Sequence, residues 1–141
     1  MSQTNVQFSV ATHVMAALGS FPGEPVRSCE LAGSVNADPT FVRRVVSKLA
    51  KAGLVTTARG KNGACTLARA PEDITLLDIY RASEAPATFA LHGYPVTTGC
   101  RVSRNIKGCM EDVLRDAQGE FERSLARRTL ADVVGALGNG R

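Results

Sequence analysis

The chain has 141 residues and a net charge of +4, and 44% of its residues are hydrophobic. This length fits one domain, or one small domain with an appended element, and the hydrophobic content excludes a wholly disordered chain. Aromatic residues make up only 5% and tryptophan is absent, so we expect a core of aliphatic side chains, as in closely packed helices. No apolar run approaches the length that crosses a bilayer, and no secretory leader is evident. We therefore expect a cytoplasmic protein with reduced cysteines.

The positive charge is concentrated in the first half of the chain. Residues 1–70 hold eight Lys or Arg and three Asp or Glu, a net +5, whereas residues 71–141 hold nine and ten, a net −1. A polyanionic partner is therefore expected to bind the first half.

Two helices are predicted before residue 35. Residues 6–18 place apolar side chains at helical spacing, and Gly19 with the Phe-Pro-Gly-Glu-Pro run at 21–25 ends this first helix. Ser28 is a suitable N-cap for a short second helix that ends at Gly33.

The third predicted helix has clear signals at both of its ends. Asp38 and Pro39 are the residue types of an N-cap and a first helical position, and Gly53 is typical of the residue after a helix. The helix should run to about Ala52, with its apolar side facing the core. That side consists of Phe41, Val42, Val45, Val46, Leu49 and Ala50.

A hairpin and a further helix are predicted next. The β-type runs 54–57 and 64–67 enclose a glycine-bearing turn, which indicates two antiparallel strands. Residues 71–73 form a turn, and Thr75 is expected to cap a fourth helix.

The remainder is predicted as a loop over 86–104 and a long helix from about Ile106. Apolar residues from Met110 to Leu125 recur every three or four positions and form one stripe, which is either core packing or a dimer seam. A bend or a new helix start is expected near Arg128 and Thr129.

The order of these elements predicts a mainly α fold with a small β-hairpin: a winged helix-turn-helix with a long C-terminal dimerisation helix. We expect a winged helix-turn-helix DNA-binding domain over residues 1–84, a sensor and linker loop over 85–105, and the dimerisation helix over 106–141.

The third helix should present a basic and hydroxylic face, and a basic hairpin tip follows it. Such a helix fits the major groove of B-DNA. Its Arg and Lys side chains can contact phosphates or guanine edges, and its Thr and Ser hydroxyl groups can contact either of these. A glycine-flanked tip can follow a groove wall or enter the minor groove. The candidate DNA-binding residues are Thr40, Arg43, Arg44, Ser47, Lys48 and Lys51 on the helix, and Arg59 and Lys61 at the tip.

Residues 28–82 resemble the Rrf-two family of bacterial winged-helix regulators. The most specific pieces are LAKAGLV, ARGKNGACTLAR and PEDITLLDI, and the resemblance extends over nearly the whole chain. It implies a homodimer in which the long helix crosses its mate, and control of nearby genes, usually by repression. It also supports the DNA-binding residues named above.

The chain departs from the cluster-bearing members of that family. Those members have three closely spaced cysteines before the long helix, whereas this region holds only Cys100 and Cys109. An iron–sulfur cluster usually needs four protein ligands. His13 is available as a further ligand, but no acidic residue precedes Glu24. We therefore expect no cofactor and no metal ligands, with a cluster as the alternative.

Cys100 and Cys109 are candidates for redox sensing. Both have basic neighbours, and Cys109 is near the predicted start of the long helix; cations and helix N-termini favour the reactive thiolate. A disulfide or adduct there would shift the hinge before the dimerisation helix. The alternative is that both thiols are small packed hydrophobes.

The other cysteines and the histidines carry weaker signals. Cys29 and Cys65 are expected to fill the core, and His13 and His92 have no ligand spacing with another donor.

The sequence as a whole therefore predicts a dimeric DNA-binding transcriptional regulator whose operator affinity responds to cysteine redox or electrophile chemistry, and the family resemblance implies that it is a repressor. The alternatives are a cluster-dependent regulator and a winged-helix module that binds protein. No Ser-His-Asp pattern, phosphate-binding loop or paired carboxylates point to an enzyme.

Overall fold

The computed structural model describes residues 6–58 and 63–138. Six α-helices, a 3₁₀ turn and a small antiparallel sheet make up this part of the chain. In order they are α1 (Gln7–Ser20), β1 (Val26–Arg27), α2 (Ser28–Val35), α3 (Pro39–Lys51), β2 (Val55–Thr57), β3 (Ala64–Leu67), the 3₁₀ turn (Pro71–Asp73), α4 (Leu76–Ala82), α5 (Arg101–Ala126) and α6 (Leu130–Leu137). The predicted fold class is confirmed.

Helix α2 begins and ends at different residues from those predicted. Arg27, not Ser28, is the N-cap residue, and the Glu30 side chain accepts hydrogen bonds from the Arg27 backbone N–H and its Nε at 3.3 and 3.1 Å. These bonds lower the pKa of the Glu30 carboxyl. Gly33 lies inside the helix, and Asn36 ends it with a left-handed φ of 62°. Asparagine tolerates this left-handed conformation, so Asn36 and not Gly33 is the residue at which the helix ends.

Helix α3 begins and ends where the sequence predicts. The Asp38 carboxylate accepts a hydrogen bond from the Phe41 N–H at 3.2 Å, and Pro39 occupies the first turn. Gly53 has a φ of 79°, the left-handed conformation that glycine adopts without strain. Val42, Val45, Val46 and Leu49 are buried, and Phe41 and Ala50 are half-buried.

The predicted hairpin is part of a three-stranded sheet. Strands β2 and β3 pair antiparallel, and β1 pairs with the other edge of β3, so the strand order is β1-β3-β2. Cys65 lies opposite Val26 on one side and Thr57 on the other. The sequence analysis missed β1 because two residues are too few for a periodic pattern.

The C-terminal helix α6 packs against α1 and joins the main core. The predicted break in the chain is confirmed: Thr129 caps α6, and its hydroxyl accepts from the Asp132 N–H at 3.1 Å. The Leu130 side chain is fully buried, and its N–H donates to the Ile74 carbonyl at 2.8 Å. A Cβ at Gly19 would lie 2.9 Å from a Val134 methyl carbon, so α1 and α6 approach closely only because this residue lacks a side chain.

Helix α5 begins at Arg101, so the predicted start at about Ile106 is five residues too late. Its 26 residues correspond to a length of about 39 Å. The single predicted apolar stripe divides into two sides: Leu125 is buried and Leu114 is half-buried, whereas Val113 is exposed. Part of the stripe packs on its own chain and part faces outward.

Candidate nucleic-acid interface

The exposed side of α3 carries the predicted DNA-binding residues. The four buried aliphatic side chains of α3 fix the rotation of the helix against the core. The opposite side therefore faces outward as a convex surface. Thr40, Arg43, Arg44, Ser47 and Lys51 are exposed there, and Lys48 is half-buried.

The first turns of α3 hold two cations in defined positions. Arg43 donates from Nη2 to the Thr40 hydroxyl at 3.2 Å, and the Arg44 guanidinium carbon lies 6.0 Å from the centroid of the Phe41 ring. That distance is at the limit of a cation–π contact. Neither arginine forms an ion pair with any residue in 6–58 or 63–138. Both guanidinium groups are thus available to an external anion.

Lys48 differs from the other candidates because it already has an acidic partner. Its Nζ lies 3.5 Å from Glu84 Oε1, just after α4, and Glu84 has a left-handed φ of 55°. An exposed pair of this kind contributes at most about 1 kcal/mol, so the amine can exchange the carboxylate for a phosphate. The two residues are 36 positions apart, and no local sequence signal predicts the contact.

The base of the wing is fastened to α2. The hairpin closes with the Ala58 N–H donating to the Ala64 carbonyl at 2.8 Å, and Gly63 has a φ of 49°. The Ser28 hydroxyl at the start of α2 donates to the Gly63 carbonyl at 3.3 Å. The predicted tip residues Arg59 and Lys61 lie outside the described residues.

Cys100 occupies the N-cap of α5. Its sulfur accepts a hydrogen bond from the Ser103 N–H at 3.4 Å, and the Ser103 hydroxyl accepts from the Thr97 N–H at 2.7 Å. The Cys100 thiol is exposed, and through Ser103 it takes part in the hydrogen bonds that join the linker to α5. The prediction that Cys109 lies near the helix N-terminus is wrong, because α5 begins at Arg101: the thiol at the N-terminus is Cys100, and Cys109 lies inside the helix.

Cys100 and Cys109 are too far apart to bond within one chain. Cys109 is exposed and lies nine residues further along, which corresponds to about 13 Å along the helix axis. A disulfide requires Cα atoms within about 7 Å. The helix therefore excludes a disulfide between Cys100 and Cys109 of the same chain. Of the predicted thiol chemistry, an adduct at either thiol or an interchain disulfide remains possible.

The other two cysteines and the two histidines lie in different parts of the fold and do not form a common site within the described residues. Cys65 fills the core as predicted; burial raises the pKa of its thiol, which donates to the Gly63 carbonyl at 3.4 Å. Cys29 is exposed, so the prediction that it fills the core is wrong: the inner side of the short α2 is occupied by other residues. His13 Nε2 lies 2.9 Å from the Ser34 hydroxyl, and His92 Nδ1 accepts from the Tyr94 N–H.

The thiols do not fit a cluster held by one chain. Within the ranges 6–58 and 63–138, no three His, Cys, Asp or Glu side chains are grouped as a metal site requires. An iron–sulfur cluster needs about four ligands around one centre, and the two thiols of α5 are separated by more than two helical turns.

A hydrogen-bond network that the sequence analysis missed connects α4, the linker and α5. The Tyr80 hydroxyl donates to the Pro86 carbonyl at 3.3 Å and accepts from Gln118 Nε2 at 2.9 Å. Gln118 Oε1 in turn accepts from the Thr88 N–H and hydroxyl at 3.2 and 3.1 Å. The Tyr80 ring packs edge-on between two other aromatic rings, those of Phe8 and Phe121. The Tyr80–Phe121 ring contact and the Tyr80–Gln118 hydrogen bond thus join α4 to α5, and the other three hydrogen bonds attach the linker to these two side chains.

The part of the chain that the structure describes contains no helix long and apolar enough to span a membrane.

A helix-turn-helix with an exposed basic second helix, followed by a hairpin, defines a winged-helix DNA-binding protein. The family model Rrf2, described as an iron-dependent transcriptional regulator, matches residues 4–136. The chain therefore belongs to the Rrf2 family of transcriptional regulators, which confirms the resemblance found in the sequence.

Individual relatives agree with this assignment. YwnA of Bacillus subtilis, named as an HTH-type transcriptional regulator, is 34% identical over 134 residues, which cover 94% of this chain and 98% of that protein. NsrR of Geobacillus kaustophilus, named likewise, is 28% identical over 88% of this chain and 84% of its own. A crystal structure from Lactobacillus plantarum, described as that of a transcriptional regulator, has a TM-score of 0.81 and 29% identity, covering 96% of this chain and 91% of that one. These homologues are transcriptional regulators and not enzymes.

Proposed function

We propose that this chain is a homodimeric transcriptional repressor that places α3 in the major groove of its operator. Thr40, Arg43 and Arg44 contact base edges or phosphates, since residues near the N-terminus of a recognition helix penetrate furthest. Ser47, Lys48 and Lys51 contact the flanking backbone. Arg59 and Lys61 contact the adjacent groove. The proposal rests mainly on the convex side of α3. Cations and hydroxyl groups are exposed there, and neither arginine has an acidic partner in the described ranges.

A titration of the protein's own promoter region against salt tests this proposal. Each phosphate that the protein neutralises releases counterions, so affinity falls by about 0.9 log units per log unit of salt for each contact. We expect a specific complex with a steep salt dependence and two half-sites about one helical turn apart. A promoter that forms no specific, salt-dependent complex contradicts the proposal.

The proposal includes a response of operator affinity to modification of the exposed thiols of α5. Hydrogen peroxide converts a thiol into a sulfenic acid and water, and an electrophile alkylates the sulfur. At Cys100 either change alters the group that accepts from the Ser103 N–H. The first turn of α5 and the attached linker then rearrange, and the network around Gln118 carries this change towards the winged unit.

Mild peroxide or diamide treatment is expected to modify Cys100 and Cys109 and to change operator affinity, while the buried Cys65 stays unmodified. Mass-spectrometric mapping and a DNA-binding titration before and after treatment measure both effects. Cys100→Ser is the matched control, because serine keeps an N-cap acceptor but lacks the thiol. If both thiols remain unmodified and affinity is unchanged, the chain does not sense oxidants through α5.

A further inference from the structure

A cleft of about 420 Å³ lies between the linker and α5. The linker segment 87–91 supplies one wall, and α5 supplies the other between Glu111 and Phe121. The two walls are held together at Gln118, whose Oε1 accepts hydrogen bonds from the Thr88 N–H and hydroxyl at 3.2 and 3.1 Å. Clefts of about 300–1,000 Å³ are the usual binding sites of small organic molecules.

The lining of this cleft is mainly apolar. Aromatic rings lie on both walls: Phe89 of the linker is 71% exposed, and Phe121 of α5 is half-buried. Leu91 and Leu114 add aliphatic surface and are also only half-buried. These side chains leave apolar surface in contact with water, and covering it with an apolar ligand is favourable. The body of the ligand is therefore expected to be aromatic or aliphatic.

Two charged residues of the described chain, Glu111 and Arg115, line the cleft, and they differ in their partners. Arg115 Nη1 lies 2.9 Å from Asp112 Oδ1 on the same helix, so its charge is already compensated. Glu111 forms no ion pair with any residue in 6–58 or 63–138. The cleft therefore offers an uncompensated carboxylate to a ligand, and a carboxylate attracts a cation.

The surroundings of the cleft favour a cation as well. Residues 111–126 of α5 carry five acidic and two basic side chains, a net −3, and residues 85–99 of the linker contain no Asp, Glu, Lys or Arg that would offset this charge. The faces of aromatic rings also attract cations, and Phe89 and Phe121 both line the cleft. An anion, in contrast, would have to displace Asp112 from Arg115.

We infer that this cleft binds a lipophilic organic cation, a molecule with an aromatic or aliphatic body and one permanent positive charge. The body packs on Phe89, Leu114 and Phe121, and the charge lies beside the Glu111 carboxylate. The ligand also contacts Gln118, which donates from Nε2 to the Tyr80 hydroxyl at 2.9 Å and so joins α5 to α4. This site is separate from the candidate DNA-binding surface on α3.

Calorimetric titration of the full-length protein with tetraphenylphosphonium, in the absence of DNA, tests this inference. Tetraphenylborate is the matched probe, because it has nearly the same shape and the opposite charge. We expect one cation to bind per chain, at least about tenfold more tightly than the anion. Equal binding of the two probes overturns the inference. The absence of saturable cation binding, which is the result expected if a second copy of the chain covers the cleft, overturns it as well.

A first pair of variants tests the role of the carboxylate. Glu111→Gln removes the charge but keeps the size of the side chain, so affinity for the cation should fall by about fivefold, as for the loss of one exposed ion pair. Glu120→Gln removes the same charge from an exposed position of the same helix that does not line the cleft, and it should leave the affinity unchanged.

A second pair of variants tests the location of the bound cation. Ala117 is exposed and lines the cleft, so Ala117→Trp fills the cleft without entering the core and should abolish binding. Ala126→Trp, at an exposed position of α5 outside the cleft, should bind normally. Binding that survives Ala117→Trp, or that is lost equally in both members of either pair, overturns the inference. Because these titrations contain no DNA, a failure of the proposed function would not change their results.

Discussion

Replacing Arg44 by glutamate is expected to weaken specific operator binding by about 1–3 kcal/mol and to lower the salt slope by about one. The arginine is exposed and lies in the second turn of α3, and its guanidinium group has no acidic partner in the described ranges. Reversing its charge removes an attraction and places a carboxylate against phosphate. Adding Arg59→Glu, at the predicted wing tip, should weaken binding further, towards the affinity for unrelated DNA.

Arg127→Glu is the matched control for this charge reversal. It changes the net charge equally, and Arg127 is exposed and ends α5, a different helix from α3. Fluorescence anisotropy with operator and scrambled duplexes at several salt concentrations separates a site-specific loss from a general one. Normal operator binding by the Arg44→Glu, Arg59→Glu double variant means that the DNA surface lies elsewhere.

In the proposed homodimer, Val113→Glu is expected to separate the two copies, and tight operator binding is expected to be lost with the dimer. The substitution places one carboxylate of each copy on the exposed apolar side of α5, and an uncompensated charge buried between the copies costs about 3–5 kcal/mol. We therefore expect the dimer dissociation constant to rise by at least about 100-fold, because 1.4 kcal/mol corresponds to tenfold. Multi-angle light scattering across a dilution series measures this change.

Leu137→Glu is the control for the Val113→Glu variant. Leu137 is also an exposed aliphatic residue, 56% accessible, but it lies on α6. Circular dichroism should show unchanged helix content for both variants, because neither side chain belongs to the core. A dimer that survives Val113→Glu but dissociates with Leu137→Glu places the interface on α6.

Helix α3 could be predicted in detail because its determinants are local. Asp38, Pro39 and Gly53 each act on the backbone within a few residues, and the four-residue spacing of the basic side chains fixes their common face. The start of α5 could not be predicted in this way. Its N-cap is Cys100, a residue type that is not a usual capping signal, and no acidic residue occupies the first turn.

The contacts that join the candidate interface to the rest of the chain were beyond the sequence. Lys48 meets Glu84, and Tyr80 meets Gln118, each across more than thirty positions, and periodicity contains no information about such pairs. The predicted stripe on α5 shows the same limit. Its apolar residues recur correctly, but only the fold determines that Leu125 faces the core and Val113 faces outward.

The anchoring of both ends of α5 makes this helix a stiff lever. Its C-terminal end is followed by α6, which packs closely against α1, and its N-terminal half is hydrogen-bonded to the linker. A tilt of about 5° over its length of about 39 Å displaces one end by about 3 Å. Neighbouring base pairs are about 3.4 Å apart. In the proposed homodimer, so slight a rotation would therefore move α3 of one copy by about one base-pair step relative to α3 of the other.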